Sequence, residues 1–326
     1  MIPRSRYFLY PVTWYSVLIL TGIILAVLIA SVQEKKKGFP RDTIIDLALR
    51  IIPVGILSAR LYYVLFSWSA FKNDFFSIFR IWEGGLAIYG GVLGGLLTIL
   101  LFCRKRRLPF LSLCDAIAPG LSLAQAIGRW GNYFNMEAYG RTVTNSAFCF
   151  FPAAVLIPSD SGNVWHLATF FYESCWNLAV FIILITISSG KSREDGYVFR
   201  SYLVLYASAR LVIEELREDS LYFEGVRISQ LLSILLILIV MISLIYRLIH
   251  SPDHPAIPVA LYLLGPVYLV SSVIVVGCAL GLPLRSPVFF SDRLYWFMQF
   301  GIFSIILLGC LNHWVSGRRI YANIKN

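Results

Sequence analysis

Nine apolar stretches dominate this chain, near residues 10–32, 43–66, 84–102, 111–128, 167–188, 197–215, 228–249, 257–282 and 295–314. A helix needs roughly 20 residues to cross a hydrocarbon core of about 30 Å, and each stretch is of that order. Lipid offers no hydrogen bonds, so a backbone crossing it pairs with itself, in a helix or a closed barrel. The alternating pattern of barrel strands is absent here. The sequence therefore predicts an all-α fold, a polytopic transmembrane helix bundle. Composition agrees. Of 326 residues, 58% are hydrophobic and 14% are charged, against about half and a quarter in soluble domains. Disorder is excluded by the same apolar excess. The net charge of +10 would suggest a nucleic-acid partner in a soluble protein. In a chain this apolar it records loop orientation instead, and no nucleic acid is expected.

Basic residues cluster in alternate loops: Lys35, Lys36, Lys37 and Arg41, then Arg104 to Arg107, then Lys191, Arg193 and Arg200, then Arg247, then Arg318, Arg319 and Lys325. The positive-inside rule places those loops in the cytoplasm and the N-terminus outside. Arg4 and Arg6 ahead of the first span resemble a signal peptide. The run is long for one, lacks a clean A-x-A site, and is followed by the lysines, so a retained helix is expected. Ser251, Pro252, Asp253, His254 and Pro255 close the seventh span. Residues 1–250 read as the working body. Residues 251–326 read as a C-terminal transmembrane extension to which the pattern assigns no role.

A charge at membrane depth costs several kcal/mol unless paired or hydrated, so each such residue is a functional candidate. Arg210 and Glu214 are four apart, hence on one helix face, and Arg217 extends that face. A self-neutralising pair would aid insertion; a guanidinium pair also suits phosphate. The densest polar stretch is GRWGNYFNMEAYG, residues 128–140, at the outer end of the fourth span. Arg129 and Asn132 are one turn apart, Asn135 continues the row if the helix persists, and Glu137 and Gly140 end it. Arginine supplies charge, the amides fixed dipoles, and glycine close backbone approach. A third cluster, WEGGLAIYGGVLGG at 82–95, contains Tyr89 and a GxxxG pair, Gly91 and Gly95, that favours tight helix packing. Tyr15 and Arg60 are single candidates in the first and second spans. The six cysteines form no CxxC pair, and there is no HExxH, GxSxG or Walker pattern. No metal, cofactor or protein nucleophile is expected, so the attacking group would belong to a substrate.

Residues 128–140 resemble the signature of the prolipoprotein diacylglyceryl transferase family. The Trp14-Tyr15 pair, residues 37–42 with Ser58 to Arg60, residues 81–95, residues 166–177 and residues 196–230 are similar to family segments in the same order. The resemblance implies a seven-helix core in a bacterial inner membrane, with about two further helices after it here. It implies transfer of the diacylglyceryl group of phosphatidylglycerol to the lipobox cysteine of a prolipoprotein. A thioether forms, glycerol phosphate leaves, and lipoprotein maturation begins. The expected partners are phosphatidylglycerol, the lipobox segment and the bilayer, with the site toward the outer leaflet.

By the same resemblance Arg129, Asn132, Glu137 and Gly140 are functional positions, as are the Arg210 and Glu214 pair and Tyr15. Arg129 and Arg210 would hold the phosphate, and Glu137 or Glu214 would orient an arginine or accept the thiol proton. Arg60, Asn135 and Arg217 join the expected lipid-binding set. Tyr89 stands where some relatives carry a histidine proposed as base. His166 is followed by Leu-Ala-Thr where many relatives have a His-Pro run. The competing class is a secondary transporter for an anionic solute, which buried arginines also suit; no internal repeat supports it.

Overall fold

The computed structural model describes residues 6–10, 12–72, 74–159, 162–189, 195–218, 222–223 and 226–250. The spans expected at 257–282 and 295–314, and with them the extension 251–326, lie outside the described residues. The chain order is β1 (Tyr7–Leu9), β2 (Val12–Thr13), α1 (Trp14–Lys36), α2 (Thr43–Phe66), α3 (Trp68–Phe71), α4 (Ile88–Arg106), α5 (Phe110–Asn135), β3 (Ala154–Ser159), β4 (Gly162–Leu167), α6 (Thr169–Ser188), α7 (Tyr197–Leu216), β5 (Tyr222–Phe223), β6 (Val226–Arg227) and α8 (Ile228–His250). Helices α1, α4, α5 and α6 are each long and apolar enough to cross a membrane. The protein is a polytopic helical membrane protein.

Where helix ends depart from the hydropathy pattern, local chemistry explains it. Helix α1 starts at Trp14, not near residue 10, because β1 and β2 pair as a short antiparallel ribbon first. Thr13 then accepts the Ser16 amide at 3.2 Å and caps the helix. Helix α4 starts at Ile88, not near 84, because Gly84 and Gly85 take φ of 95° and 72°. Helix α5 runs through Arg129 and Asn132 to Asn135, so the polar row expected there does lie on a helix.

The described chain forms two compact units. One comprises Ile23–Leu121 and Ser188–Phe199. Its core joins Ala30 of α1, Ile44 and Leu47 of α2, Phe102 and Cys103 of α4 and Leu113 of α5. Polar ends are tied by buried carboxylates. Glu34 accepts the Ile44 amide at 2.6 Å at the start of α2. Asp115, buried on α5, accepts the Gly196 amide at 2.8 Å and the Phe199 amide at 2.7 Å, and pairs with Lys37 Nζ at 2.8 Å. Gly196 has no side chain to cap α7, so a carboxylate from another helix satisfies those first amides.

Helices α2 and α4 pack through glycine, but one residue off the expected pair. A Cβ on Gly90 would reach the Ser58 carbonyl and lie 2.5 Å from Tyr62 Cβ; one on Gly94 would strike the Ser58 hydroxyl. At Gly91 the nearest atom would be the Gly55 carbonyl oxygen, at 3.6 Å, an ordinary contact. Gly90 and Gly94 therefore carry the close approach. Gly94→Leu is expected to lower the thermal stability of the detergent-solubilised protein by at least the ~1–3 kcal/mol of typical overpacking. Gly91→Ala should leave it within error of the parent.

The other unit comprises the described residues within 6–22, 122–187 and 200–250. Trp130 and Tyr133 of α5 pack on Phe170 of α6, with ring centroids 5.8 and 5.4 Å apart. Val155 and Ile157 of the antiparallel β3–β4 hairpin join this cluster. Trp14 stacks on Phe134 at 5.2 Å. Together these contacts fix the outgoing end of α5.

Candidate active site

The functional candidates of α5, α6 and α7 converge in this second-described unit. Glu173, on the second turn of α6, sits between two arginines. Its Oε1 lies 2.5 Å from Arg129 Nη2 of α5, and its Oε2 lies 3.3 Å from Arg210 Nη1 of α7. Arg210 Nη2 also meets Glu214 Oε2 at 2.7 Å, one turn along α7. Both carboxylates are buried, and both guanidinia are mostly so. The result is an alternating chain of Arg129, Glu173, Arg210 and Glu214. A buried charge without a partner is costly, and here every member has one.

The chain continues outward through amides. Arg129 Nη1 donates to Asn132 Oδ1 at 3.4 Å, and Asn132 Nδ2 donates to Glu137 Oε1 at 3.0 Å. Asn135 Nδ2 reaches the same oxygen at 3.2 Å. Glu137 can meet both amides because α5 stops abruptly. Met136 and Ala138 on either side take φ of 54° and 55°. Non-glycine residues pay about 1–3 kcal/mol each for such a conformation, and it persists only where the surroundings enforce it. The Ala138 carbonyl is held by Thr169 Oγ1 at 2.7 Å, and the Glu137 amide by the Asn132 carbonyl at 3.0 Å.

Gly140 lies where three segments meet. Its amide donates to the Leu167 carbonyl at 2.8 Å, its carbonyl accepts from His166 Nδ1 at 2.9 Å, and its backbone bridges to Arg217. A Cβ there would lie 2.7 Å from both Leu167 Cβ and the Leu216 carbonyl oxygen. Gly140→Ala is therefore expected to abolish activity by displacing the segment that carries Glu137. An activity within threefold of the parent would show that this junction yields easily.

Tyr15 is brought to the same helix. A Cβ on Gly131 would fall 2.5 Å from its ring, so Tyr15 abuts α5 at Gly131, between Arg129 and Asn132 in sequence. Arg217 does not extend the helix face as expected, because α7 ends at Leu216 and Arg217 pairs its backbone with Gly140. Arg60 and Tyr89 belong to the other unit. Tyr89 is half-buried on the first turn of α4. Arg60 is buried, and its guanidinium donates to backbone carbonyls of residues 77–85. It is thus committed to the protein's own backbone, not open to a ligand.

Two groups were given no role by the sequence. Glu173 is the carboxylate that joins the two arginines; the signal available was an acid in the opening turns of an otherwise apolar helix. Glu215 anchors a second knot, with Arg227 Nη1 at 2.6 Å, Gln230 Nε2 at 2.8 Å and Arg141 Nη2 at 3.7 Å. It ties the start of α8 to the end of α7. No group of three or more His, Cys, Asp or Glu side chains able to hold a metal occurs among the described residues.

A helical membrane protein with paired arginines held by buried carboxylates is equipped to bind and stabilise an anionic group. Comparison with known proteins makes this specific. The sequence model of the prolipoprotein diacylglyceryl transferase family matches residues 6–246. A protein of Listeria welshimeri serovar 6b is 40% identical over 238 residues, 72% of this chain and 86% of the relative. One of Streptococcus pyogenes serotype M5 is 44% identical over 235 residues, 72% of this chain and 90% of the relative. Both are named phosphatidylglycerol–prolipoprotein diacylglyceryl transferase. The chain belongs to the prolipoprotein diacylglyceryl transferase family and is an integral membrane enzyme of the transferase class.

Proposed function

We propose that the protein transfers the diacylglyceryl group of phosphatidylglycerol to the thiol of a lipobox cysteine in a prolipoprotein, at the outer leaflet of a bacterial cytoplasmic membrane. The observation that carries the reading is the Arg129–Glu173–Arg210–Glu214 chain, set in a family member. Glu173 pairs with both guanidinia, and Glu214 and Ser229 hold Arg210 as well. Each arginine has five donors, so its remaining N–H groups are available to a phosphate. As the bond between the glyceryl carbon and the phosphate oxygen breaks, negative charge grows on the leaving glycerol phosphate. Preorganised guanidinia stabilise that charge without reorienting.

The other half of the reaction is thiol activation. A free cysteine has a pKa of about 8.5 and is mostly protonated at neutral pH. The carbon–sulfur bond forms as the thiol proton leaves. Charge balance says where the proton goes. Phosphatidylglycerol carries one negative charge, and the thiolate's charge passes to the departing glycerol phosphate as the carbon–sulfur bond forms; the thiol proton itself is left for a carboxylate of the site to accept. Glu214 is buried against Arg210, while Glu137 is exposed and oriented by two amides. Glu137 is therefore assigned as the proton acceptor and Glu214 as the group orienting Arg210. A phenol is a poor proton acceptor at neutral pH, so Tyr89 is given no such role.

Incubation of the purified protein with phosphatidylglycerol and a lipobox peptide tests the reading. The expected product is a peptide heavier by one diacylglyceryl group, with glycerol phosphate released in equal amount. A Cys→Ser peptide should stay unmodified; transfer to it would overturn the thiol mechanism. The same protein in proteoliposomes is expected to show no uptake of anionic solute.

A further inference from the structure

Between α2 and α4 the chain runs through WSAFKNDFFSIFRIW, residues 68–82, and leaves five of its six aromatic side chains exposed. Trp68 is 52% exposed, Phe75 61%, Phe76 78%, Phe79 65% and Trp82 77%. Solvent-facing loops are usually polar, because exposed aromatic surface gains nothing in water. This segment is also not loose. Arg60 reaches under it from α2 and donates to the carbonyls of Ser77 at 2.6 Å, Ile78 at 2.9 Å, Arg80 at 3.4 Å, Gly84 at 2.6 Å and Gly85 at 3.1 Å. Phe71 is buried with its ring centroid 5.2 Å from the same guanidinium. Asp74 caps the turn by accepting the Ser77 amide at 3.3 Å and pairs with Arg80.

The exposed surface also has a direction. On α2 the exposed residues Leu57, Leu61 and Leu65 form a stripe at helical spacing. On α4 the exposed residues Ile88, Val92 and Leu96 form another. Such stripes on a membrane protein face acyl chains. Phe66, the last residue of α2, and Leu86, just before α4, are exposed as well, so the two stripes run up to the ends of the aromatic segment, in which Lys72 and the Asp74–Arg80 pair lie between the rings. A protein partner would have to compete with lipid along that surface.

We propose that residues 68–72 and 74–82 form a preshaped blade that lies in the headgroup–acyl boundary of the bilayer, with its exposed aromatic rings inserted and Arg60 as the residue that holds its shape. The partner is phospholipid. A ring-bearing side chain at this boundary has its apolar body in the acyl region, and Trp82 and Trp68 are suited to the interface itself. Because Arg60 fixes the backbone in advance, seating the blade incurs little ordering cost. Gly85 belongs to the same device: a Cβ there would fall 2.6 Å from Arg60 Nη1 and 2.6 Å from the Tyr63 ring.

The test is photo-cross-linking in native membranes with the full-length chain. A benzophenone amino acid is placed at Phe76, Phe79 or Trp82, and at the exposed Lys72 as the comparison site. Intact-mass analysis is expected to show a phospholipid adduct at the three aromatic positions, at least fivefold above that at Lys72. Adducts with another polypeptide in place of lipid, or equal lipid yield at Lys72, would overturn the proposal. Combining the Phe79 probe with Arg60→Gln should cut the lipid adduct to a third or less. An unchanged yield would remove Arg60 from the device. The Phe76 and Trp82 arms need no Arg60 variant and decide the lipid contact even if that variant fails to fold.

Discussion

Arg129→Ala and Arg210→Ala should each lower kcat for diacylglyceryl transfer by on the order of 10²–10³-fold, the range seen when one preorganised donor to a developing anion is removed. The KM for phosphatidylglycerol should move less, because the contact strengthens as phosphate departs. Lysine is not an adequate substitute. It keeps the charge but cannot present one pair of N–H groups to Glu173 or Glu214 and another to substrate. Arg210→Lys is thus expected to recover no more than a tenth of the parent rate. Steady-state kinetics with a lipobox peptide checks both points. Turnover near the parent level in both alanine variants would remove the guanidinia from the mechanism.

The second large effect concerns Glu173, which touches both arginines at once. Glu173→Ala leaves two guanidinia in one buried site with their shared counter-charge gone. Removing one partner of a buried pair costs about 3–5 kcal/mol, and here it leaves Arg129 without a carboxylate and Arg210 with Glu214 alone. The expected outcome is a larger loss of thermal stability in detergent than either arginine variant shows. Glu173→Gln keeps the shape and one acceptor, so it should fold but turn over slowly. The decisive comparison is the double variant Glu173→Ala/Arg129→Ala, which restores charge balance around Arg210. It should be more stable than Glu173→Ala alone. If it is less stable, the losses are simply additive and the alternating network is not a unit.

Much of this molecule is legible without coordinates. The helices follow from runs that only a helix can carry across lipid, and α2 begins and ends where the hydropathy pattern puts it. The polar row on α5 was readable because arginine and asparagine fall at helical spacing just where the apolar run stops. The features that were not legible share a cause: they depend on which side chain meets which across segments distant in sequence. Gly91 and Gly95 match the packing motif as well as Gly90 and Gly94 do. Only the rotation of α4 against Ser58 selects the latter pair. Arg60 looks like a ligand-binding cation until its five carbonyl partners are seen.

The sequence by itself determined the class of the molecule. A chain of long apolar runs has one family of folds open to it in lipid, and the charges interrupting those runs mark where chemistry must be. Tertiary structure decided how the charges are used. It put Glu173 between Arg129 and Arg210, which lie 44 and 37 residues away from it in sequence. It turned the chain at Met136 so that two amides share Glu137. Spacing along one helix can report neighbours three or four residues apart, since that is one turn. It carries no information about which buried carboxylate will neutralise which buried arginine, because that choice is made by packing.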